Sequence, residues 1–590
     1  MIVKQLNFFT KLSGEKYILI AFCILFTINC LNSNSLFYVP DDSYIYFRHA
    51  RHFLDGQGLV YNIGEHVEGI SGLSWAFLLI LFSVADPVKI IIISKLLGIV
   101  CSLGTLIFIF YSIKALFKRE YLYLILGSIA LGLLNLDKAF IHWTTAGLES
   151  PLFILLVSAI LYKIVKRIQS LNKLLYDDWL IHLLFFLLFI TRTEGIFYYF
   201  FYLFFAYLIS HVGIKFSSKP NFLKNGLLFF IIPSAIITVF RLLYYNDFLP
   251  NSVWAKGIGL PYWGHMRLGV RYVSSFFQSS NTIVPFIALT ASFFIQNLIV
   301  LKRFLTLSPN TPIKIFKSRL LGRNFISQYN LYRYLSKKEG YFLTFLLLAF
   351  CIGPIIVAIK SCGDWMSYHR LLLQTRVLLL FYSAFLFGLL LDLFISNISF
   401  LKKKASGKLM AVLIVAILLI SIGNQAISFK KTRSFASLWN LYDKASSKIA
   451  DWISFVKKQN KDKEIIVVTE VGGRTPYYSL DTYFIEYFGL ADKVIARRGT
   501  TAFPMGKIHN EYVAKRNADI LIFNNPDRAR WLFNDYLEGE KKYHFVELLK
   551  SNRVILVKKE LNNSIKLSKI LAQQFGEVFD LHIIKMPHIQ

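Results

Sequence analysis

The stretch DDSYIYFRHARHFLDGQGLVYNIGEHVEG (residues 41–69) is a polar segment between two strongly apolar regions. An apolar run near 17–37 precedes it, and runs at 73–85 and 88–112 follow it. About 20 consecutive apolar residues suffice to cross a bilayer as a helix. The segment is therefore predicted to be a loop at a membrane surface.

The composition of the whole chain is that of a membrane protein. Hydrophobic residues make up 55% of the 590 positions and charged residues only 17%, whereas a soluble chain carries about 25% charge. An excess of 66 Lys+Arg over 35 Asp+Glu gives a net charge of +31, which by itself would suggest a nucleic-acid partner. Because the basic residues lie mostly between and after the apolar runs, we expect a lipid bilayer as the partner and no nucleic acid.

Eleven apolar runs are candidates for membrane-spanning helices: 17–37, 88–112, 121–138, 148–166, 178–192, 195–212, 224–243, 281–302, 341–359, 374–396 and 409–428. The run 73–85 is too short to span, and we interpret it as re-entrant or interfacial. With a cytoplasmic N-terminus, the loops after the even-numbered helices are all rich in Lys and Arg, as cytoplasmic loops should be. The odd number of spans then puts the C-terminal region on the outer side.

The chain changes character at about residue 429, where polar residues return and apolar runs shorten. KEIIVVT (463–469), ADILIF (518–523), YHFVELL (543–549) and RVILVKK (553–559) are predicted to be strands, with helical patterns between them. The predicted fold class is therefore a polytopic α-helical membrane domain (1–428) of about 11 transmembrane helices, followed by an extracytoplasmic α/β domain (429–590).

Two adjacent carboxylates, Asp41 and Asp42, follow Pro40 at the start of the polar segment. Neighbouring carboxylates repel one another, which raises the pKa of one of them and suits a general base. The alternative is a helix N-terminus, where Asp is favoured by unpaired N–H groups and by the helix dipole. Both interpretations hold if one Asp caps the helix and the other is reactive.

Several motifs follow one another in order along the chain. The first-loop segment is followed by TAGLESPLF (145–153), RTEG (192–195), FRLLYYNDFLPNSVWAK (240–256), GDWMSYHR (363–370), VGGRTPYYS (471–479) and YFGLADKVIARR (487–498). In content and order this set resembles the polytopic bacterial glycosyltransferases of the GT-C superfamily, especially their arabinofuranosyltransferase-like branch. Two departures are RTEG in place of the usual RPEG, and Cys362 where a glycine commonly precedes GDWM.

The resemblance implies a sugar transferase of the bacterial inner membrane with a periplasmic C-terminal domain. The sugar, a hexose or a pentose, would pass from a polyprenyl-phosphate donor to an envelope glycan acceptor such as lipopolysaccharide. Within VGGRTPYYS, Gly472, Gly473, Tyr477 and Tyr478 are expected either to bind the acceptor or to form a packed turn.

Such a reaction needs a base for the acceptor hydroxyl and cations for the departing phosphate. We expect the base to be Asp41, with Asp42 as its partner or alternative. The cations expected to bind the substrate are Arg48, Lys256, Arg271 and Arg370. Glu149 is also expected at the substrate, where it would bind sugar hydroxyls or position an arginine. Trp365 is expected there as well and, like Trp75 and Trp254, would stack on the sugar or line a lipid groove. Lys256 and Arg271 could instead anchor at lipid head groups, and Arg370 could instead stack on a nearby aromatic ring.

No cofactor and no metal are expected. His49 and His52 have a spacing that would allow ligation, but we interpret them as solvated surface residues, and no DxD motif is present. The five cysteines form no metal-ligand or disulfide pattern. Two further functions remain open, a transporter or flippase of lipid or glycan, and a structural or regulatory membrane protein with an outer sensing domain.

Overall fold

The structure is a computed structural model. It describes residues 14–33, 36–117, 119–169, 178–211, 219–256, 263–279, 338–364, 366–397, 433–470, 472–502, 506–548 and 553–562, with isolated positions at 286–287, 290–291, 294 and 566. The predicted span 409–428 and most of the predicted span 281–302 lie outside the described residues.

The membrane part is built from helices. Their bounds are Gly14–Leu31, Asp41–Leu54, Leu73–Ser83, Ile90–Leu116, Glu120–Leu136, Lys138–Thr144, Ser150–Gln169, Trp179–Thr191, Gly195–His211, Lys219–Gly226, Ile232–Tyr245, Asn251–Lys256, Trp263–Ser279, Lys338–Lys360 and Leu373–Asn397. A π-helical turn, Leu227–Ile231, joins two of these helices, and 3-10 turns lie at Pro87–Lys89 and Ser367–Leu372.

Four stretches of helix in the described part are long and apolar enough to cross a membrane: Ile90–Leu116, Phe222–Tyr245, Leu343–Lys360 and Ser367–Gly388. A fifth span is possible if the pair Glu120–Leu136 and Lys138–Thr144, bent by 68°, crosses as one unit. The chain is thus a multi-pass membrane protein.

The predicted re-entrant or interfacial run forms the helix Leu73–Ser83, which has 11 residues. At about 1.5 Å per residue it covers roughly half of the hydrocarbon thickness. Trp75 and Leu79 are buried, whereas Leu81 and Phe82 on the other side are exposed. The helix therefore packs on the protein with one face and presents an apolar second face.

Small residues allow the long helix Ile90–Leu116 to pack closely on its neighbours. A Cβ at Gly98 would overlap the backbone oxygen of Thr144, and one at Gly104 would meet the side chain of Leu155. Close approach at small residues is a common device in membrane helix pairs, where no hydrophobic effect drives association. These contacts hold the segment 144–155, which carries Glu149, against the helix.

The C-terminal domain begins with the helix Arg433–Gln459 and contains a five-stranded sheet in the order β2-β1-β5-β7-β6. Its strands are β1 (Ile466–Thr469), β2 (Tyr483–Glu486), β5 (Ile520–Phe523), β6 (Tyr543–Leu548) and β7 (Arg553–Lys558), and a separate hairpin pairs β3 (Thr500–Ala502) with β4 (Gly506–Ile508). β1 is parallel to β2 and β5, whereas β7 is antiparallel to β5 and β6. All four predicted strands are present, and β2, β3 and β4 were not predicted.

Both faces of this sheet are covered, which explains its uninterrupted apolar strands. Successive side chains of a strand point to opposite faces. Val467 packs in the same cluster as Trp452 of the preceding helix, and Val468 packs with Leu532 on the other side.

Candidate active site

The first-loop helix, Asp41–Leu54, carries both candidate bases in its first turn. Its start follows Pro40, whose extended backbone (φ −64°, ψ 154°) directs the chain into the helix. Adjacent residues of an α-helix point about 100° apart. Asp41 and Asp42 therefore face different surroundings although they are neighbours in sequence.

Asp41 faces the C-terminal domain. Its carboxylate accepts hydrogen bonds from the backbone N–H groups of Gly473 and Arg474, each at 2.8 Å. Burial raises the pKa of Asp41 to about 6, although the Arg474 charge and these hydrogen bonds oppose the rise. Asp41, which the sequence favoured as the base, is thus engaged in holding two parts of the chain together.

Asp42 faces a cavity and is held between two cations. One carboxylate oxygen lies 3.3 Å from Nη1 of Arg370 and 3.7 Å from Nζ of Lys256. Burial by itself would raise the pKa of Asp42, but the charges of Lys256 and Arg370 and their hydrogen bonds hold it below its ordinary value. Asp42 is therefore ionised at neutral pH.

Arg370 is positioned by the segment that carries the GDWM motif. Its Nε donates to Asp364 at 2.9 Å, and its guanidinium lies 5.7 Å from the ring centre of Trp143. Gly363 adopts a φ of 87° in the turn that presents Asp364. Cys362, which precedes this glycine, also has a positive φ of 59°.

A second arginine, Arg192, lies at the end of the helix Trp179–Thr191. It donates to Glu149 at 2.9 Å and to Glu194 at 2.6 Å. Of the two roles expected for Glu149, positioning an arginine is the one that this contact satisfies.

These groups line one cavity of about 210 Å³, called the first cavity below. Its charged lining consists of Asp42, Glu149, Arg192, Glu194, Lys256, Asp364 and Arg370. Each of its three cations is paired with at least one of its carboxylates. The three cations are therefore held in position by ion pairs within the lining.

A small apolar groove adjoins the first cavity. The groove is lined by Phe197, Tyr198 and Phe201 from one helix and by Gly353, Pro354 and Val357 from another. It shares Glu194, Val357 and Leu371 with the first cavity. Phe197 and the nearby Ile356 are more than half exposed. The charged cavity is thus joined to an apolar surface of the membrane part.

The C-terminal domain contributes Leu490 to the wall of the first cavity. Glu486, at the end of β2, accepts backbone hydrogen bonds from Phe488, Leu490 and Ala491, which fixes the loop that carries Leu490. Burial raises the pKa of Glu486 to about 8. The cavity is therefore formed jointly by the two parts of the chain.

Two solved structures have this architecture. ArnT from Cupriavidus metallidurans, solved with undecaprenyl phosphate bound, aligns with a TM-score of 0.50 at 10% identity over 93% of this chain and 100% of its own. The Archaeoglobus fulgidus oligosaccharyltransferase, solved tethered to an acceptor peptide, aligns with a TM-score of 0.50 at 12% identity over 95% of this chain and 78% of its own. Both are GT-C superfamily members. This chain has the GT-C fold. No family model and no curated protein matches the sequence.

Within the GT-C fold, Arg48, which was expected at the phosphate, does not line the first cavity. The side chain is fully buried and donates to the carbonyl oxygens of Tyr61, Pro476, Ser479 (3.0 Å) and Thr482 (2.8 Å). Burial lowers the pKa of Arg48 to about 10. Arg48 joins the first-loop helix to the C-terminal domain.

Two of the expected tryptophans, Trp75 and Trp254, and Arg271 do not line the first cavity. Trp75 is buried and donates a hydrogen bond to the Gly147 carbonyl at 3.0 Å. Trp254 donates a hydrogen bond to the carboxylate of Asp247, and the guanidinium of Arg497 lies 3.6 Å from the centre of the Trp254 ring. Arg271 is exposed on the helix Trp263–Ser279, and Trp365 lies outside the described residues. Neither Trp75 nor Trp254 is therefore available to stack on a ligand in the first cavity.

The two histidines are buried, whereas the sequence suggested solvated residues. His49 pairs with the Ile45 carbonyl, and His52 lies between the carbonyls of Val60 and Leu480. Among the described residues, no group of three His, Cys, Asp or Glu side chains is arranged to hold a metal ion.

Three charged residues that line the first cavity were not predicted from the sequence. Arg192 and Glu194 belong to RTEG, and Asp364 belongs to GDWM. The missed signal was charge within an apolar context, since an ionisable residue beside a membrane helix is costly and marks a functional candidate.

Proposed function

We propose that the chain is a membrane glycosyltransferase. It transfers a sugar from a polyprenyl-phosphate donor to the hydroxyl of an envelope glycan acceptor, on the outer face of the bacterial inner membrane. The observation that carries the proposal is Asp42, ionised and held between Arg370 and Lys256 in the first cavity. A base and phosphate-binding cations are the two requirements of the reaction.

The proposed step begins with an acceptor hydroxyl beside Asp42. The hydroxyl oxygen attacks the anomeric carbon of the donor while Asp42 takes its proton. The bond from that carbon to the phosphate oxygen breaks, and the lipid phosphate leaves with the electron pair. Arg370 and Lys256 stabilise the charge on the departing phosphate, an effect that is strong in a site with little water.

Donor binding also explains how a carboxylate of low pKa acts as a base. Without donor, the two cations are shared with Asp42. A phosphate in the first cavity competes for them and brings a like charge close to Asp42, and both changes raise the pKa of a carboxylate. We propose that Asp42 becomes a stronger base only when the donor is present.

The apolar groove supports a lipid-linked donor. It adjoins the first cavity between the helices Gly195–His211 and Lys338–Lys360. We propose that the polyprenyl chain follows this apolar surface into the bilayer. That ArnT was solved with undecaprenyl phosphate is in keeping with this class of donor. The acceptor is proposed to approach from the side of the C-terminal domain, with residues 1–428 as the transferase domain and 429–590 as the periplasmic domain.

Lys256→Gln is expected to raise the KM for the lipid donor about 10- to 100-fold, because a charged hydrogen bond is worth about 1.5–3 kcal/mol. Arg271→Gln is the matched control, since Arg271 is an exposed cation outside the first cavity. The measurement is the initial rate of sugar transfer by purified protein against donor concentration.

The two variants also separate this proposal from the roles predicted from the sequence. An equal rise in KM for both would mean that Arg271 reaches the donor. An unchanged KM for Lys256→Gln, in protein that is folded and active, would remove the first cavity as the donor site.

A further inference from the structure

A second cavity of about 160 Å³ lies on another side of the first-loop helix. Residues 42, 45 and 46 of this helix line the first cavity, whereas Tyr44 lines the second. Residue 44 is turned about 200° from residue 42 around the helix axis. The two cavities are therefore separate sites on opposite sides of the same helix.

Two cations reach into the second cavity, Lys95 from the helix Ile90–Leu116 and Arg474 from the C-terminal domain. Nζ of Lys95 donates to the carbonyl oxygens of Tyr38 at 3.0 Å and Thr145 at 2.8 Å. An ammonium group has three donors. Among the residues that the structure describes, Lys95 has no third hydrogen-bond partner and no ion pair.

The one carboxylate in the lining is already engaged. Asp443 accepts hydrogen bonds from the hydroxyl groups of Tyr44 at 2.6 Å and Tyr478 at 2.9 Å, one on each oxygen. With Lys95, Arg474 and Asp443, the charged lining has a net charge of +1. A cation largely removed from water is costly unless an opposite charge accompanies it.

The rest of the lining is apolar and reaches the outside of the protein. Leu36, Phe37, Val39 and Ile91 form the apolar wall, and Phe37 is 55% exposed. Ile92 and Val88, beside this wall, are exposed as well. The cationic interior thus opens beside an apolar edge, and its volume exceeds the roughly 30 Å³ of a single water molecule.

We propose that the second cavity binds a phosphate group, with Lys95 and Arg474 as its cations. The phosphate belongs to a lipid headgroup or to free inorganic phosphate, and the apolar edge suits the glycerol and first methylene groups of a lipid. This site is independent of the donor site of the proposed function, since the two cavities have no lining residue in common.

The test measures ligand-induced thermal stabilisation of the full-length protein in detergent. The probes are inorganic phosphate, short-chain phosphatidylglycerol and, as a zwitterionic control, short-chain phosphatidylcholine. A ligand that binds only the folded state raises Tm by an amount that grows with the logarithm of its concentration relative to its Kd. Phosphatidylglycerol is expected to stabilise the protein more than phosphatidylcholine, and Lys95→Gln is expected to weaken this binding at least tenfold.

Further variants locate the site and guard against misfolding. Phe37→Asp places a negative charge at the exposed mouth and is expected to weaken binding to a similar extent, whereas Phe37→Leu and the exposed Lys89→Gln leave it unchanged. Stabilisation by inorganic phosphate that depends on Lys95 identifies free phosphate as the ligand, and a response to phosphatidylglycerol alone identifies a lipid. The proposal is overturned if neither probe stabilises the protein, if Lys95→Gln and Phe37→Asp bind normally, or if only Lys256→Gln loses binding.

Discussion

Asp42→Asn is expected to lower the rate of sugar transfer by about 10²- to 10⁴-fold, the usual contribution of a general base. The amide has nearly the shape of the carboxylate but cannot take the proton of the acceptor hydroxyl. The amide also keeps an oxygen that can accept hydrogen bonds from Arg370 and Lys256, so we expect the shape of the first cavity to be retained. The measurement is the initial rate with donor lipid and acceptor membranes from a strain that lacks the gene.

Asp41→Asn is the matched control for this prediction. Asp41 contacts the backbone N–H groups of Gly473 and Arg474 and does not line the first cavity. The amide oxygen can still accept one of these hydrogen bonds, so we expect a loss of stability and less than a tenfold loss of rate. A large loss with Asp41→Asn and nearly full activity with Asp42→Asn would restore Asp41 as the base and contradict the assignment made here.

Arg48→Met is expected to destabilise the protein by about 3 kcal/mol or more. The substitution removes the donors for four carbonyl groups, three of them in the C-terminal domain. Each buried acceptor left without a partner costs about 1–3 kcal/mol. We expect a lower Tm in detergent and faster proteolysis of the C-terminal domain.

Arg51→Met is the matched control, because it makes the same substitution three positions later on the same helix. Arg51 forms an ion pair with Asp55 at 3.8 Å, and its side chain is 20% exposed. Partly exposed pairs of this kind contribute about 0–1 kcal/mol, so a small effect is expected. If Arg48→Met instead keeps the stability of the wild type and raises the KM for the donor, then Arg48 binds the phosphate as the sequence suggested.

The fold was largely predictable because its signals are local. Apolar runs and their lengths indicate membrane helices, and four short apolar runs in the last part of the chain proved to be strands. β2, with the sequence YFIE, was missed because the acidic Glu486 follows only three apolar residues, so no longer apolar run marks the strand. Its position is fixed by parallel pairing with β1, a contact that the local pattern does not encode.

The motifs that line the first cavity could be found in the sequence, but the position of each of their side chains could not. The sequence placed the reaction at Asp41 or Asp42, but the direction in which each points depends on a partner 432 positions later in the chain. The same contact explains Arg48, which looked like a free cation of a polar loop until the helix Arg474–Tyr478 was packed against it. Long-range docking of the C-terminal domain is thus what separates the structural charges from those of the cavity.

In the proposed function, Asp42 is the general base of a sugar transfer to an envelope glycan. The most direct test of this role is the mass of the envelope glycans from a deletion strain complemented with the wild-type gene or with Asp42→Asn, at equal protein levels. We predict that the wild-type gene restores glycan species heavier by one sugar residue, and that Asp42→Asn leaves them absent as in the deletion strain. Identical glycan masses in all three strains would contradict the account.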